Sequence, residues 1–220
     1  LTDAVVKSTN LPVTVKTRLG WDDTSLNIEE VAERLQDVGI RALSIHGRTR
    51  AQMYKGQADW TLIAKVKNNP RIHMPIFGNG DIDSAEKALE YKNRYGVDGI
   101  MIGRAAIGYP WIFKEIKHFL ATGEHLPSPT VENRVAVCRK HLTQSLAWKG
   151  AVVGINEMRR HYANYLKGLP NIKEYRNRLV TLKLPEEINE VLDEIEKEYA
   201  GFEMQKSPIE LINYHEKCAV

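Results

Sequence analysis

Cysteine is scarce in this chain of 220 residues, and its placement narrows what the chain can be. The two cysteines, Cys138 and Cys218, form neither a C-x-x-C pair nor a cluster at metal-ligand spacing. That argues against a disulfide-stapled secreted scaffold and against a bound metal, and it suits incidental thiols of a cytosolic protein. Long apolar runs are missing too: none approaches the roughly 20 residues needed to cross a bilayer. The opening residues, Leu1-Thr2-Asp3-Ala4, lack a basic segment followed by an apolar one, so no signal peptide is expected and the predicted location is the cytoplasm. The fingerprint G-x-G-x-x-G behind a first strand is absent, which ranks a doubly wound open sheet below other α/β arrangements. Net charge is a modest +3, and with 43% hydrophobic and 27% charged residues the composition is that of a folded globular protein.

What is present is a regular alternation. Short apolar runs at 13–17, 42–46, 74–78 and 98–102 read as strands, and helical patterns follow at 28–38, 59–68, 83–95 and 110–122. Strands separated by helices at this spacing imply parallel βα units. Four such units make half of a TIM (β/α)8 barrel and leave two unpaired strand edges. The expected fold is therefore the second half of such a barrel, which is truncated, pairs with a second copy, or borrows strands from a partner. The chain starts without methionine, in a stretch that reads as the end of an amphipathic helix, which predicts a natural start upstream.

Leu126-Pro127-Ser128-Pro129 reads as a linker, because each proline disfavours helix at the residue before it. Beyond it the pattern is helical at 130–148, 152–167, 172–181 and 185–199, with Gly150, Gly168-Leu169-Pro170 and Leu184-Pro185 as punctuation. The expected domains are a half-barrel over 1–125, a helical domain over 130–200 and a loosely ordered tail over 201–220.

Each strand runs into polar residues: Lys16-Thr17-Arg18, His46-Gly47-Arg48-Thr49-Arg50, Gly78-Asn79-Gly80-Asp81 and Gly103-Arg104-Ala105-Ala106. In a parallel α/β barrel the chemistry sits at the C-terminal ends of the strands. The glycines in the third loop let backbone N–H groups approach phosphate oxygens, and Arg104 in the fourth offers a charge-assisted partner. Lys16 would neutralise charge on a reduced ring system or an enolate-like oxygen, or would simply be a solvated lysine at a strand end. His46 aligns with Lys16, Asn79 and Arg104 and so is a candidate ligand contact. Arg48, Arg50, Tyr54 and Lys55 form either a mobile basic rim that grips a substrate phosphate or a solvated loop.

Charge is unevenly spread. From Arg134 to Lys183 there are 11 Lys and Arg against 2 Asp and Glu, whereas Leu184 to Glu203 carries 1 Lys against 8 Asp and Glu. The basic block is interleaved with Trp148, Tyr162, Tyr165 and Tyr175. Such a surface suits a polyanion whose bases stack on aromatics, and it also suits a solvated helical face over core aromatics.

Four strings, Val-Lys-Thr-Arg-Leu-Gly-Trp (15–21), Ile-His-Gly-Arg-Thr-Arg (45–50), Gly-Asn-Gly-Asp-Ile (78–82) and Met-Ile-Gly-Arg-Ala-Ala-Ile-Gly-Tyr-Pro-Trp-Ile-Phe (101–113), resemble the tRNA-dihydrouridine synthases, most of all the bacterial B-type branch. The resemblance covers about residues 5–200 and implies an oxidoreductase that holds FMN at the barrel mouth and takes electrons from NADPH. It implies reduction of the C5–C6 double bond of a uridine in tRNA. Carried onto this sequence, Lys16 and His46 would contact the flavin, and Asn79, Gly80, Asp81, Gly103 and Arg104 would frame its phosphate. The helical domain, with Arg159, Arg160, Arg176 and Arg178, would cradle tRNA alongside Arg48, Arg50 and Tyr54. The family's segment bearing the proton-donating cysteine has no counterpart in these 220 residues, and neither Cys138 nor Cys218 replaces it, so no catalytic residue is assigned and the chain alone is expected to be inactive. Two other classes fit parts of the pattern: a small-molecule FMN oxidoreductase of the dihydropyrimidine or dihydroorotate dehydrogenase type, and a noncatalytic RNA-binding fragment. Exposed half-barrel edges would favour homo-oligomers.

Overall fold

The computed structural model describes residues 1–204, so most of the expected tail, and Cys218 with it, lies outside the described residues. A short helix α1 (Thr2–Lys7) leads to β1 (Thr14–Arg18), α2 (Ile28–Asp37), β2 (Ala42–His46), α3 (Thr61–Asn68), β3 (Ile76–Asn79), α4 (Ala85–Tyr95) and β4 (Gly99–Met101). A 3-10 turn (Arg104–Ala106) precedes α5 (Ile112–Thr122), α6 (Val131–Tyr165), α7 (Lys173–Thr181) and α8 (Pro185–Glu198). By internal packing the described residues form two compact units, one over 1–104 and one over 105–204.

In the first unit the four strands are all parallel and lie in the order β1-β2-β3-β4, the second half-barrel pattern that the sequence predicts. Leu43, Ile45 and Ile76 are fully buried, as are Ala32, Ile63, Val66 and Ala88 from the helices. Alternate strand residues point to opposite faces, so the other face carries Lys16, Ser44, Phe77 and Met101. These are exposed or half-buried. β3 starts at Ile76, two residues later than the apolar pattern suggests, because Pro75 has no N–H to give a ladder. Helix α4 starts where Ser84 accepts the Lys87 N–H, and it stops at Gly96 with φ of 65°.

In the second unit, α6 is one helical run broken at Gly150, whose φ of 76° and ψ of 168° are not helical. The two halves fold back on each other: Ser145 Oγ donates to the Gly154 carbonyl, and Lys149 pairs with Glu157. A core of Val135, Cys138, Leu142, Met158, Tyr162, Leu179, Ile188 and Leu192 joins this hairpin to α7 and α8. The basic and acidic stretches of the sequence are neighbours here. Arg139 donates to Asn189 and Asp193, and Arg178 makes a two-bond pair with Glu194. No helix among the described residues is long and apolar enough to cross a membrane.

Candidate functional site

The strand register sets the site. Arg18 pairs with His46, His46 with Asn79, and Asn79 with Met101, so the last residues of four strands form one row. Lys16 stands two residues before Arg18 and therefore on the same face. Asn79 is buried, and its Nδ2 donates to the Met101 carbonyl at 2.7 Å, tying β3 to β4 at their ends.

The two glycines expected to frame a phosphate serve different ends. A β-carbon on Gly80, at φ of 130°, would stand 2.5 Å from the Ala58 β-carbon and 3.2 Å from the His46 ring, so the loop closes only over glycine. Gly103 has nothing within 4 Å of where its β-carbon would be, which leaves its backbone open to a ligand.

Asp81 is the junction of three loops. Its carboxylate accepts from Arg48 Nη1 and Nη2 at 2.8 Å each, from the Ala58 backbone N–H at 2.8 Å and from Arg104 Nη2 at 3.0 Å. Arg48 also donates to the carbonyls of Lys55 and Gly56 and is 1% exposed. Arg48 thus fits neither of the two expectations for this loop, a mobile basic rim or a solvated segment: its guanidinium is spent inside the protein. The loop around it is pinned as well, by bonds from Leu19 N to the Arg48 carbonyl, Arg50 N to the Gly20 carbonyl and Ala51 N to the Trp21 carbonyl. Arg50, Tyr54 and Lys55 remain exposed.

Electrostatics keep His46 neutral. Burial, then Arg18, Lys16 and Arg48, push its pKa down to about 4, against a smaller opposing pull from Asp81. Arg48 Nη1 lies 3.4 Å from His46 Nε2. A guanidinium cannot accept a proton, so Nε2 is the acceptor and the imidazole proton sits on Nδ1. Lys16 is lowered below the ordinary lysine value by burial and by Arg18, while hydrogen bonds from Arg48 and Ala58 hold Asp81 below the usual carboxylate range despite its burial.

Two residues that sequence reasoning passed over matter here. Arg18 Nη1 donates to the carbonyls of Thr49 and Met53 at 2.7 and 2.9 Å, and its guanidinium lies 5.9 Å from the centre of the Tyr54 ring, with that of Arg104 at 4.8 Å. Its place two residues after Lys16 was the available signal. Trp60 is buried and its Nε1 donates to the Gly80 carbonyl at 3.1 Å, a role nothing in the sequence announces.

In the second unit, Arg160 is exposed and lies 4.0 Å from Glu157, Arg176 is half-buried, and Arg178 is bound to Glu194. Arg159 is half-buried, with its Nε buried and unpartnered. Cys138 is fully buried, which closes its thiol off from any substrate, and burial pushes that thiol up to about 12. No group of three or more His, Cys, Asp or Glu able to hold a metal occurs among the described residues.

The site as a whole suits an anion. Arg48 and Arg104 bind the Asp81 carboxylate, Lys16 and Arg18 act on the neighbouring His46, and the open Gly103 backbone adjoins Arg104, so that Arg104 and this backbone are placed for a phosphate group.

A profile of the family described as "Dihydrouridine synthase (Dus)" matches residues 1–200. Similar curated proteins include tRNA-dihydrouridine synthase B of Pseudomonas aeruginosa, 44% identical over 174 residues, which are 79% of this chain and 52% of that protein. Another is probable tRNA-dihydrouridine synthase 1 of Synechocystis, 43% identical over 190 residues, 86% of this chain and 53% of that protein. Probable tRNA-dihydrouridine synthase of Rickettsia conorii is 38% identical over 192 residues, 87% of this chain and 57% of that protein. The chain thus spans about half the length of the curated relatives it matches. Among solved structures, a mandelate oxidase shares 13% identity at a TM-score of 0.32, covering 90% of this chain and 66% of that one.

Proposed function

Because the chain belongs to the dihydrouridine synthase family, we propose that it provides the phosphate-binding end of an FMN-dependent enzyme that reduces a uridine of tRNA with electrons from NADPH. The observation that carries this reading is Arg104, tied to Asp81 next to the open backbone of Gly103, in a row of strand ends where Lys16 and Arg18 add positive charge around His46.

In this reading Arg104 and the backbone around Gly80 and Gly103 hold the flavin phosphate. Lys16 presents its ammonium to negative charge that develops on the bound ring, in a site already cleared of part of its water by burial. His46, neutral with its proton on Nδ1, adds a hydrogen bond without adding charge. With FMN bound, the chemistry supplied is hydride delivery to one carbon of the uridine C5–C6 bond. The other carbon needs a proton. Cys138 is too deeply buried to give it, and no residue of this chain is assigned that task. Arg50 and Tyr54 beside the strand ends, and Arg159, Arg160 and Arg176 on the helical unit, are the groups proposed to meet tRNA phosphates and bases. The target uridine has to leave its stack, at a cost of about a few kcal/mol. The edge strands β1 and β4 are proposed to pair with further strands, of the same protein or of a second copy.

The test is a visible spectrum and an FMN titration of the purified protein, followed by tRNA reduction with NADPH. Full-length protein should bind flavin and form dihydrouridine, while the 220 residues by themselves should form none. Full-length protein that takes up no flavin and leaves tRNA unreduced would overturn the reading.

A further inference from the structure

The four N–H groups around Asp81 leave its carboxylate an unsuitable neighbour for a phosphate. Oδ1 is engaged by Arg48 and Arg104, and Oδ2 by Arg48 and the Ala58 amide. A phosphate brought into contact with it would meet like charge rather than a donor. Resting on the reading that this site takes a flavin phosphate, we propose that Asp81 is a positioning residue that fixes the Arg104 guanidinium for the phosphate and never touches the phosphate itself.

Three observations support this. Asp81 takes one N–H of Arg104, and the Tyr54 ring lies 4.8 Å from its guanidinium carbon, so one edge and one face of that plane are held and the remaining donors have a set direction. Arg48, 1% exposed and bonded to Asp81, Lys55 and Gly56, makes the other side of the junction a fixed post. Two guanidinium groups against a single carboxylate still leave a positive site, so the tether does not cancel the attraction for an anion. The backbone agrees: Asp81 sits at φ of 57°, a left-handed conformation that aspartate and asparagine tolerate better than most residues and that the surrounding bonds hold in place.

Riboflavin and FMN differ only by the phosphate, so a fluorescence titration of the full-length protein with both isolates the proposed effect. Asp81→Asn keeps the shape and the tolerance for positive φ while removing the charge. It should weaken FMN binding by about tenfold or more and leave riboflavin binding within about twofold. Arg104→Gln should do the same, and the double variant should lose no more than Arg104→Gln alone, because both act through one guanidinium. Equal weakening of both ligands, an unchanged preference for FMN, or additive losses in the double variant would each overturn the proposal. Should Asp81→Asn fail to fold, Asp81→Glu keeps the charge but moves the carboxylate by one methylene. Loss of the FMN preference is expected, and its full retention would defeat the idea. A wild-type protein that binds FMN no better than riboflavin would instead remove the phosphate reading itself, and the role of Asp81 with it.

Discussion

The indole of Trp60 occupies the space that a β-carbon at position 78 would need: Cζ3 and Cη2 of the ring stand 2.0 and 2.4 Å from where that carbon would be on Gly78. The ring cannot step aside, since it is buried and packs against Tyr91 and Tyr95 at 5.0 and 5.7 Å. Gly78→Ala should therefore destabilise the protein by about 1–3 kcal/mol, the usual cost of overpacking a filled core. Urea unfolding would measure it. A stability within error of wild type would mean that the indole has somewhere else to go. Because Trp60 Nε1 also holds the Gly80 carbonyl, the same variant should weaken anion binding at the strand ends.

The pH dependence of stability follows from His46. Its pKa falls from 6.5 to about 4 on folding, so between those values the unfolded chain binds more protons than the native one. Stability rises with pH across that window and is lost as pH falls from about 6.5 towards 4, by up to about 1.4 kcal/mol per pH unit for this residue. Asp81 acts in the same direction over a lower pH window and does not mask the effect. Its depressed carboxyl stabilises the fold above the unfolded carboxylate value, and that contribution is lost only as pH falls through the still lower folded value. His161, also pushed to about 4 by burial, His141 and Arg160, adds a similar slope from the helical unit. His46→Gln should shallow the profile between pH 6.5 and 4, and a slope identical to that of wild type would contradict the assignment.

The arginines of the helical unit should not contribute equally to tRNA binding. Arg178 makes two bonds to Glu194, at 2.5 and 2.7 Å, whereas Arg160 lies 4.0 Å from Glu157 and stays exposed. Arg160→Gln should weaken tRNA binding and reduce the slope of log affinity against log salt by about 1. Arg178→Gln should change both less. Filter binding across a salt series would decide it, and equal effects would mean that Glu194 gives up its partner when RNA arrives.

Much of the fold was legible because βα units announce themselves twice, by apolar runs at strand spacing and by helical stretches between them. Leu43 and Ile45 mark β2 as plainly as Ser84 and Gly96 mark the ends of α4. The candidate residues were picked by position: Lys16, His46 and Asn79 stand at or near the ends of their strands, and Gly103 and Arg104 just beyond β4. What the sequence hid is which charges are spent. Arg48 and Arg50 sit two residues apart in one loop, yet one is buried against Asp81 and the other is exposed. That difference depends on a carboxylate 33 residues away, and no local pattern encodes it. The same applies to the basic block, whose linear charge excess is partly met by α8 through Arg139 and Arg178.

The sheet order has a consequence for how the chain acquires its structure. Each strand pairs with the one before it, as Thr14 with Ala42, Leu43 with Ile76 and Phe77 with Gly99, so every ladder closes over a single intervening helix. None of these three ladders has to wait for a distant partner, and closure of such moderate loops is fast compared with long-range pairing. As the chain leaves the ribosome, the sheet can grow at one edge, a strand at a time. The Asp81 junction closes last: Arg48 and Ala58 are already in place when Asp81 emerges, and Arg104 completes it from the far side of β4. The part of this unit that handles charge is thus assembled only after the strands beneath it have been laid down.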